Sequence, residues 1–322
     1  MGKILKKNVY VFTFTVVILL IGSVLFNQVM TGAEINEEYG FRLETFDLVD
    51  LPLDKVPYSG SVVPLNPDFP TDEKGIILTK NGEDLYYNPL KIGLYAKSFL
   101  KSYDQKGDQA YLEKAELYGE KLVEMADEHQ GAWYFPYSID FNLHGDEEDV
   151  LKGPWYSAMA QGEVLSTFTR LYRSTGKEEY LTVAEKTFQS MKDVKEDNET
   201  WVSLIDQEGY LWFEEYPEEN PTHALNGFLF AIYGVYDYYL LEKDEDVKNH
   251  LMGALTTVKH YLDEYRVEGE ISYYCREHHV QSDRYHMIHI TQLERLTKIS
   301  GDPYFENMAN EFKEDFQLTE EE

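Results

Sequence analysis

The nonapeptide "GDQAYLEKA" (residues 107–115) recurs in altered form as "GKEEYLTVA" (176–184) and "GDPYFENMA" (301–309). In each copy a glycine ends one helix, and an aromatic residue four positions later opens the apolar face of the next. An alanine four positions beyond the aromatic lets two helices approach. The first two copies lie about 70 residues apart and the third about twice as far again, which leaves room for a degenerate copy near 240–251. Self-similarity at this period predicts stacked helix pairs.

The apolar periodicity between the repeats predicts four helical hairpins. We expect helices over 89–105 with 108–128, 155–174 with 177–194, 222–241 with 245–266, and 285–299 with 302–316. The predicted fold class is therefore mainly α, an α/α toroid (barrel) of helical hairpins, with a shorter solenoid as the alternative. We assign residues 87–318 to this domain.

The N-terminus carries a separate signal. Lys3, Lys6 and Lys7 precede an uncharged run whose strongly apolar core, Val9 to Phe26, is long enough to cross a bilayer. Residues 1–33 are predicted to form a transmembrane helix that anchors the chain in a membrane, with a cleaved signal peptide as the alternative. In either case we expect the following domain to be extracytoplasmic, membrane-anchored or secreted.

Composition limits the classes of partner. The formal net charge of −30 excludes a nucleic-acid binder, because phosphate contacts need clustered Lys and Arg. Tyrosine occurs 26 times, and a ring with a polar tip suits half-buried carbohydrate sites. Cys275 is the single cysteine, which excludes an intramolecular disulfide. Residues 34–86 are rich in proline and poor in helical periods, so we predict a linker with a short irregular or β segment there.

Three long connections should share one end of the helical assembly, because each joins the second helix of a hairpin to the first helix of the next. They are residues 131–156, 201–221 and 269–289, and all are rich in aromatic and ionisable side chains. Loops of this kind that converge at one rim predict a binding or catalytic site.

The second loop contains "WFEEYP" (212–217), with two adjacent carboxylates. Glu214 and Glu215 point to opposite sides if the segment is extended, so at most one of them faces a given cleft. A solvated acidic loop with Tyr216 packed beneath it is the alternative interpretation.

The third loop places Tyr273, Tyr274 and Arg276 close together, with Tyr285 at the start of the next helix. Arginine binds a carboxylate through a planar, bidentate fork, and tyrosine beside it can transfer protons on an anionic substrate. An aromatic hairpin with a surface ion pair is the alternative.

Four histidines in the same region, His278, His279, His286 and His289, raise the question of a metal site. No HExxH pattern or matched cysteine cluster accompanies them, so we predict that no metal is bound. In the first loop, "GPWYSAMAQG" (153–162) combines small residues suited to close helix packing with two side chains that could project into a cleft, Tyr156 and Gln161.

Three of these stretches together resemble the C-terminal domain of the D-glucuronyl C5-epimerases (heparosan-N-sulfate-glucuronate 5-epimerases), which act on heparan-type polysaccharides. They are "GPWYSAMAQG", "WFEEYP" followed by "LNGF" (225–228), and "YYCR…RYHMIHITQL" (273–293). "NPLKIGLYAKSF" (88–99) is similar to the family's first barrel helix more loosely, and the resemblance covers about residues 85–318. It implies an α/α barrel, a reaction that inverts carbon 5 of D-glucuronate to give L-iduronate in a polysaccharide, and a site that needs no cofactor.

The resemblance also implies roles for single residues. Glu215 and Tyr216 match the catalytic pair, Tyr273 matches the tyrosine of a Y-x-x-R pattern with Tyr274 as its adjacent alternative, and Tyr285 matches a further catalytic tyrosine. Inversion needs proton-transfer groups on both faces of the sugar, so we expect Glu215 or Tyr216 opposite Tyr273 or Tyr285. The predicted substrate-binding residues are Arg276, which would hold the uronate carboxylate, and Tyr156, Gln161, Asn226, His289, Gln292 and Tyr274.

Two departures from the family refine the expected partners. About fifty Pro-rich residues stand where the family has a β-hairpin and a β-barrel, so part of the cleft is missing or is supplied by another chain; a homodimer is compatible with this. The negative charge favours an unsulfated glucuronate polymer. The alternatives are a uronate polysaccharide lyase, which shares the first proton abstraction, a glycosidase using Glu215 with Asp140 or Glu147, and a membrane-tethered glycan-binding module without catalysis.

Overall fold

The computed structural model describes residues 33–145 and 150–316, and eight α-helices form four hairpins in this part of the chain. The hairpins are α1 (Pro89–Lys106) with α2 (Gln109–Met125), α3 (Ala158–Thr175) with α4 (Glu178–Lys192), α5 (Leu225–Glu242) with α6 (Glu245–Tyr261), and α7 (Asp283–Ser300) with α8 (Pro303–Asp315). The four predicted hairpins are confirmed. The largest boundary error is at the end of α6, where a 3-10 turn (Leu262–Glu264) follows the helix.

The helices form two layers. The odd-numbered helices α1, α3, α5 and α7 pack side by side as an inner layer, and each even-numbered helix covers its hairpin partner from outside. The tightest contact lies between α3 and α5, where a Cβ added to Gly162 would stand 2.6 Å from the Cα of Ala231. Only glycine lets the two backbones come this close, as the small residues around 160–162 predict.

Ten short strands pair as five antiparallel ribbons within the described ranges. They are β1 (Glu34–Ile35) with β2 (Arg42–Leu43), β3 (Thr79–Asn81) with β4 (Asp84–Tyr86), β5 (Asp127–His129) with β6 (Ala132–Tyr134), β7 (Phe141–Asn142) with β8 (Val150–Leu151), and β9 (Ser203–Ile205) with β10 (Leu211–Phe213). The last three ribbons lie between α2 and α3 and between α4 and α5, where the first two long connections were predicted. In the β9–β10 ribbon, Trp212 stands opposite Leu204. These ribbons give the loops that enter the inner helices a fixed path.

The Pro-rich segment 34–86 carries the first two ribbons and packs across the inner layer. The Val49 N–H donates to the Ile299 carbonyl at 2.8 Å, near the end of α7. Tyr58 stacks on Tyr233 of α5 with ring centroids 4.2 Å apart. The Val63 N–H donates to Ser102 of α1 at 3.0 Å. The segment therefore touches the first, third and fourth hairpins.

Buried ion pairs connect these parts. Arg170 of α3 contacts Asp237 of α5 at 2.7 Å and donates to the Leu53 carbonyl at 2.9 Å. Lys97 of α1 contacts Glu163 of α3 at 2.8 Å. Because each buried charge has an opposite partner, the pairs fix the relative orientation of the inner helices and the segment.

No helix within the described ranges has the length and the apolar character needed to cross a membrane. The predicted anchor or signal peptide lies, up to residue 32, outside the described residues.

The repeat signature is explained by helix ends. Gly107, Gly176 and Gly301 each cap an inner helix in the left-handed conformation, with φ of 68°, 69° and 69°. At the predicted degenerate copy the same position is Lys243, with φ of 53°. A residue with a Cβ is strained in this conformation. The fourth copy therefore keeps the left-handed cap but has lysine in place of the glycine that adopts it without strain.

This difference predicts opposite effects of matched substitutions. Lys243→Gly should be more stable than Lys243→Ala by about 1 kcal/mol, because both lose the exposed ion pair with Asp50 and only glycine relieves the backbone. Gly107→Ala should lose about 1 kcal/mol, since its added Cβ meets nothing within 4 Å and the cost is conformational. Urea unfolding of the three variants measures both differences. Equal stability of the glycine and alanine variants at position 243 would contradict the strain argument.

Candidate active site

The three long connections meet where the inner helices begin. The Ala158 N–H, at the start of α3, donates to the Glu214 carbonyl at 2.8 Å, which joins the first loop to the second. The Leu225 N–H, at the start of α5, donates to the Tyr274 carbonyl at 3.0 Å, which joins the second loop to the third. The predicted convergence at one rim is confirmed.

Aromatic rings form the base of this rim. Tyr137 and Trp155 stack with centroids 4.2 Å apart, and Phe141 stacks on Tyr216 at 5.6 Å. Trp155 also approaches Tyr216 at 6.0 Å. Tyr216 is therefore held by rings of the first loop, separate from the main core between the helix layers.

The adjacent carboxylates point to opposite sides, as an extended backbone requires. Glu214 is 1% exposed and contacts His223, whereas Glu215 is 8% exposed and accepts a hydrogen bond from the Tyr274 hydroxyl at 3.1 Å. The solvated acidic loop is wrong, because both carboxylates are buried with defined partners.

Glu215 lies against the first turn of α5. A backbone hydrogen bond from Gly227 reaches its carboxylate, and a Cβ added at Gly227 would stand 2.2 Å from Oε2. Glycine is required here because any other side chain would occupy the space of the carboxyl. The helix N-terminus favours the ionised carboxylate.

Competing effects set the protonation of this carboxyl. Burial raises the pKa of Glu215 to about 7. The hydrogen bonds from Tyr216, Tyr274 and Gly227 lower the pKa, and the negative charge of Glu214 raises it. Because burial outweighs the hydrogen bonds, Glu215 exchanges protons in the physiological range.

Three phenols surround Glu215. The hydroxyls of Tyr216 and Tyr274 lie 3.2 Å apart, and the rings of Tyr274 and Tyr285 lie 4.4 Å apart. Burial, followed by the Glu215 charge, raises the pKa of each phenol. All three therefore stay protonated at neutral pH and can donate protons. Tyr285 is the most exposed of the three.

Tyr273 and Arg276 make other contacts. The Tyr273 ring stacks on His279 at 4.5 Å, so in this loop it is the adjacent Tyr274 that contacts Glu215. Arg276 pairs with Glu264, and its guanidinium lies 4.3 Å over the Tyr261 ring. The structure thus brings together Glu215, Tyr216, Tyr274 and Tyr285.

The two residues predicted from the first loop have internal partners. The Tyr156 hydroxyl donates to Asp127 at 3.0 Å and lies 3.2 Å from His129. Gln161 is fully buried, and its side chain accepts from the Phe135 N–H at 2.9 Å.

Asn226, His289 and Gln292 form a buried polar group between α5 and α7. Gln292 donates to the Asn226 carbonyl at 2.9 Å. Burial lowers the pKa of His289 to about 3, so the ring is neutral, and its Nδ1 lies 2.9 Å from the Ser272 hydroxyl. Within the described part of the chain, Asn226 Oδ1, His289 Nε2 and Gln292 Oε1 have no hydrogen-bond partner. All three atoms are buried.

The structure separates the four histidines by environment. His279 stacks on Tyr273, and His286 accepts the Ser272 N–H through Nδ1 at 3.0 Å. His278 lies beside Cys275, with 3.8 Å between Nδ1 and Sγ. Among residues 33–145 and 150–316, no three His, Cys, Asp or Glu side chains are grouped to hold a metal ion.

The carboxylates considered for a glycosidase do not form a described pair. Asp140 contacts Lys152 at 2.7 Å in an exposed ion pair. Glu147 lies outside the described residues.

Sequence reasoning missed three contributors. Tyr137 has its pKa raised by burial and then by Glu215, which places it in the same electrostatic group. Gly227 makes room for the carboxyl. The positive charge of Arg284 acts on Tyr285, although burial dominates the pKa of that phenol. All three were within quoted stretches, the loop 131–156, "LNGF" and "RYHMIHITQL" (284–293), but their spacing carried no signal of a role beside Glu215 or Tyr285.

Comparison with known proteins gives the class first. A solved structure, cellobiose 2-epimerase from Bacillus thermoamylovorans, matches with a TM-score of 0.55 over 79% of this chain and 68% of that chain. At 14% identity this likeness concerns the fold, and it supports the toroid-type α/α arrangement. The class that the fold defines is therefore that of the α/α-toroid proteins.

The sequence comparisons identify the family within this class of fold. A family model described as D-glucuronyl C5-epimerase C-terminus matches residues 126–314, and the chain belongs to that family. A D-glucuronyl C5-epimerase of Caenorhabditis elegans is 33% identical over 125 residues, which are 39% of this chain and 19% of that enzyme. An uncharacterized protein of Methanocaldococcus jannaschii is 26% identical over 67% of this chain and 71% of its own length.

The raised pKa of Glu215 predicts a pH-dependent stability. Below its ordinary value of 4.5 the carboxyl is protonated in both folded and unfolded chains, and above about 7 it is ionised in both. Burying the charge then costs the folded state about 3 kcal/mol. Between pH 4.5 and 8 the wild type should therefore lose about this much stability relative to Glu215→Gln, measured by denaturant unfolding at each pH. A difference between the two proteins that does not change with pH would contradict the assignment.

Proposed function

We propose that the protein inverts carbon 5 of D-glucuronate residues to L-iduronate within a polysaccharide. The observation that carries the proposal is the buried carboxyl of Glu215, with a pKa of about 7, bonded to protonated phenols at the rim of an α/α fold. Membership of the D-glucuronyl C5-epimerase C-terminus family supports the same reaction.

The reaction needs a base on one face of the sugar and an acid on the other. Ionised Glu215 takes the proton from carbon 5, and the electrons of the broken C–H bond spread into the adjacent uronate carboxylate. A phenol then delivers its proton to the opposite face, and a new C–H bond forms there. A base whose pKa lies near the working pH suits this transfer.

Tyr285 is the phenol that we assign as the donor. It is the most exposed of the group, and Tyr274 contacts both residues, with a hydroxyl 3.1 Å from the Glu215 carboxyl and a ring 4.4 Å from that of Tyr285. After one turnover Glu215 has gained a proton and Tyr285 has lost one. Exchange with solvent restores both, so no net proton is consumed.

The substrate carboxylate needs a cation in a chain of strongly negative charge. Two arginines serve here: Arg276 of the third loop, which would exchange its partner Glu264 for the substrate, and Arg284 in the first turn of α7, next to Tyr285. An unsulfated polymer meets less repulsion from the acidic surface than a sulfated one. An extracytoplasmic domain, anchored or secreted, and a homodimer remain part of the proposal.

Proton NMR in heavy water tests the reaction. The purified protein is incubated with an unsulfated, N-acetylated glucuronate polymer. We expect the carbon-5 proton signal to disappear and iduronate resonances to appear. Glu215→Gln and Tyr285→Phe should each slow this by at least about 100-fold, the contribution of a general base or acid. A vinylic signal would instead establish a lyase, and polymer binding without exchange would leave only a binding module; either result overturns the proposal.

A matched pair separates two neighbouring tyrosines. Tyr274→Phe removes the hydroxyl that bonds Glu215 and should reduce exchange, whereas Tyr273→Phe alters a ring that stacks on His279. If Tyr273→Phe were the more damaging of the two, the residue matched by the family pattern would carry the chemistry, and the arrangement around Tyr274 would not.

A further inference from the structure

Glu214 has no part in the proton transfer, yet it is buried beside the reacting carboxyl. Both of its oxygens contact one residue: Oε1 lies 2.5 Å from His223 Nδ1, and Oε2 accepts the His223 backbone N–H at 3.2 Å. Its own backbone is fixed as well, since its N–H donates to the Val202 carbonyl and its carbonyl accepts from Ala158. The Glu214 side chain therefore connects the end of β10 to residue 223, where the chain turns back toward α5.

His223 stands where the chain turns back toward α5. Its φ of 50° lies in the left-handed region, which costs about 1 kcal/mol for a residue with a Cβ. Contacts on three sides hold it there. Its ring packs at a tilt against Trp212 with centroids 4.1 Å apart, its carbonyl accepts from the Tyr265 hydroxyl at 2.7 Å, and its N–H donates to Glu214.

The two adjacent carboxylates each accept a backbone hydrogen bond from the chain that leads into α5. Glu214 accepts from the N–H of His223, and Glu215 accepts from the N–H of Gly227, four residues further along. Because the two side chains leave the backbone in opposite directions, fixing Glu214 also fixes the direction in which Glu215 points. If the turn at residue 223 were not held, Gly227 and the Glu215 carboxyl that it bonds would shift together.

We propose that Glu214 and His223 form a positioning pair that holds the Glu215 carboxyl in the orientation needed for proton transfer. The effect of this pair on catalysis rests on the proposed function, whereas its effect on the orientation of Glu215 does not. The groups that face Glu215 from neighbouring elements are the phenols of Tyr137, Tyr216, Tyr274 and Tyr285 and the N–H of Gly227, with Glu214 as the adjacent anion.

Substitutions at 223 separate the ring contact from the backbone strain. His223→Gly removes the ring and relieves the left-handed backbone, whereas His223→Ala removes the ring and keeps the strain. His223→Asn offers an amide nitrogen near the place of Nδ1 and tolerates a positive φ. If the pair positions Glu215, kcat should fall about 10- to 100-fold in the glycine and alanine variants with KM little changed. The asparagine variant should recover most of the loss.

Glu214→Gln keeps the shape of the side chain and removes its charge. A carbon-13 NMR titration of the Glu215 carboxyl, assigned by its absence in Glu215→Gln, reports the effect directly. The midpoint should fall from about 7 in the wild type, because the Glu214 charge is one of the factors that raise the pKa of Glu215. This fall reports the charge of Glu214, so the same titration in His223→Gly, which keeps that charge, reports the orientation of the Glu215 carboxyl.

The two readouts keep this inference apart from the proposed reaction. If the wild type catalyses no exchange but the Glu215 midpoint differs between the wild type and His223→Gly, which both keep the Glu214 charge, the positioning pair stands and the reaction fails. If the midpoint is the same in these two proteins, the pair is overturned whatever the activity. Wild-type kcat in His223→Gly would also overturn it, and that variant keeps the test open if Glu214→Gln does not fold.

Discussion

The contact between the backbones of α3 and α5 at Gly162 determines where the site is built. At this point no side chain separates the helices, so their first turns are held at a fixed distance. One turn before Gly162, the start of α3 donates to the Glu214 carbonyl. The N-terminus of α5 meets the Glu215 carboxyl from the other direction. A larger residue at 162 would separate the two helix ends that position this dipeptide.

The electrostatic character of the site follows from burial in a crowded aromatic setting. A carboxyl that accepts hydrogen bonds from two phenols and a helix N-terminus would ordinarily be a stronger acid than a free one. Here the cost of removing water exceeds these contributions, and the pKa of Glu215 rises. The same loss of water keeps the phenols protonated. One environment thus gives a carboxyl that titrates near neutral pH and phenols that stay protonated, which pairwise hydrogen bonds alone would not do.

Much of the fold could be predicted from sequence, because helix ends and apolar periods are local. Gly107, Gly176 and Gly301 marked three hairpins directly, and only Lys243 concealed the fourth. The opposite directions of Glu214 and Glu215 also followed from local geometry. The family resemblance supplied the residues that gather at the rim.

The features that the sequence did not predict depend on contacts between segments far apart in the chain. Whether Tyr273 or Tyr274 faces Glu215 is set by the pairing of Ala224 with Cys275, since a shift of one residue in an extended segment reverses its faces. A surface ion pair in this loop was one of the two interpretations, but its partner Glu264 and the packing of segment 34–86 depended on contacts between distant parts of the chain.

The segment that crosses the inner layer has a consequence for biosynthesis. Val49 leaves the ribosome early, but its partner Ile299 is among the last residues of the helical domain to emerge. The Tyr58–Tyr233 stack spans a comparable length of chain. Contacts between such distant positions slow folding, because a long loop must close before they form. The part of the segment around Val49 therefore cannot make this contact until the last hairpin is made, which exposes its apolar residues to aggregation and to chaperones during synthesis.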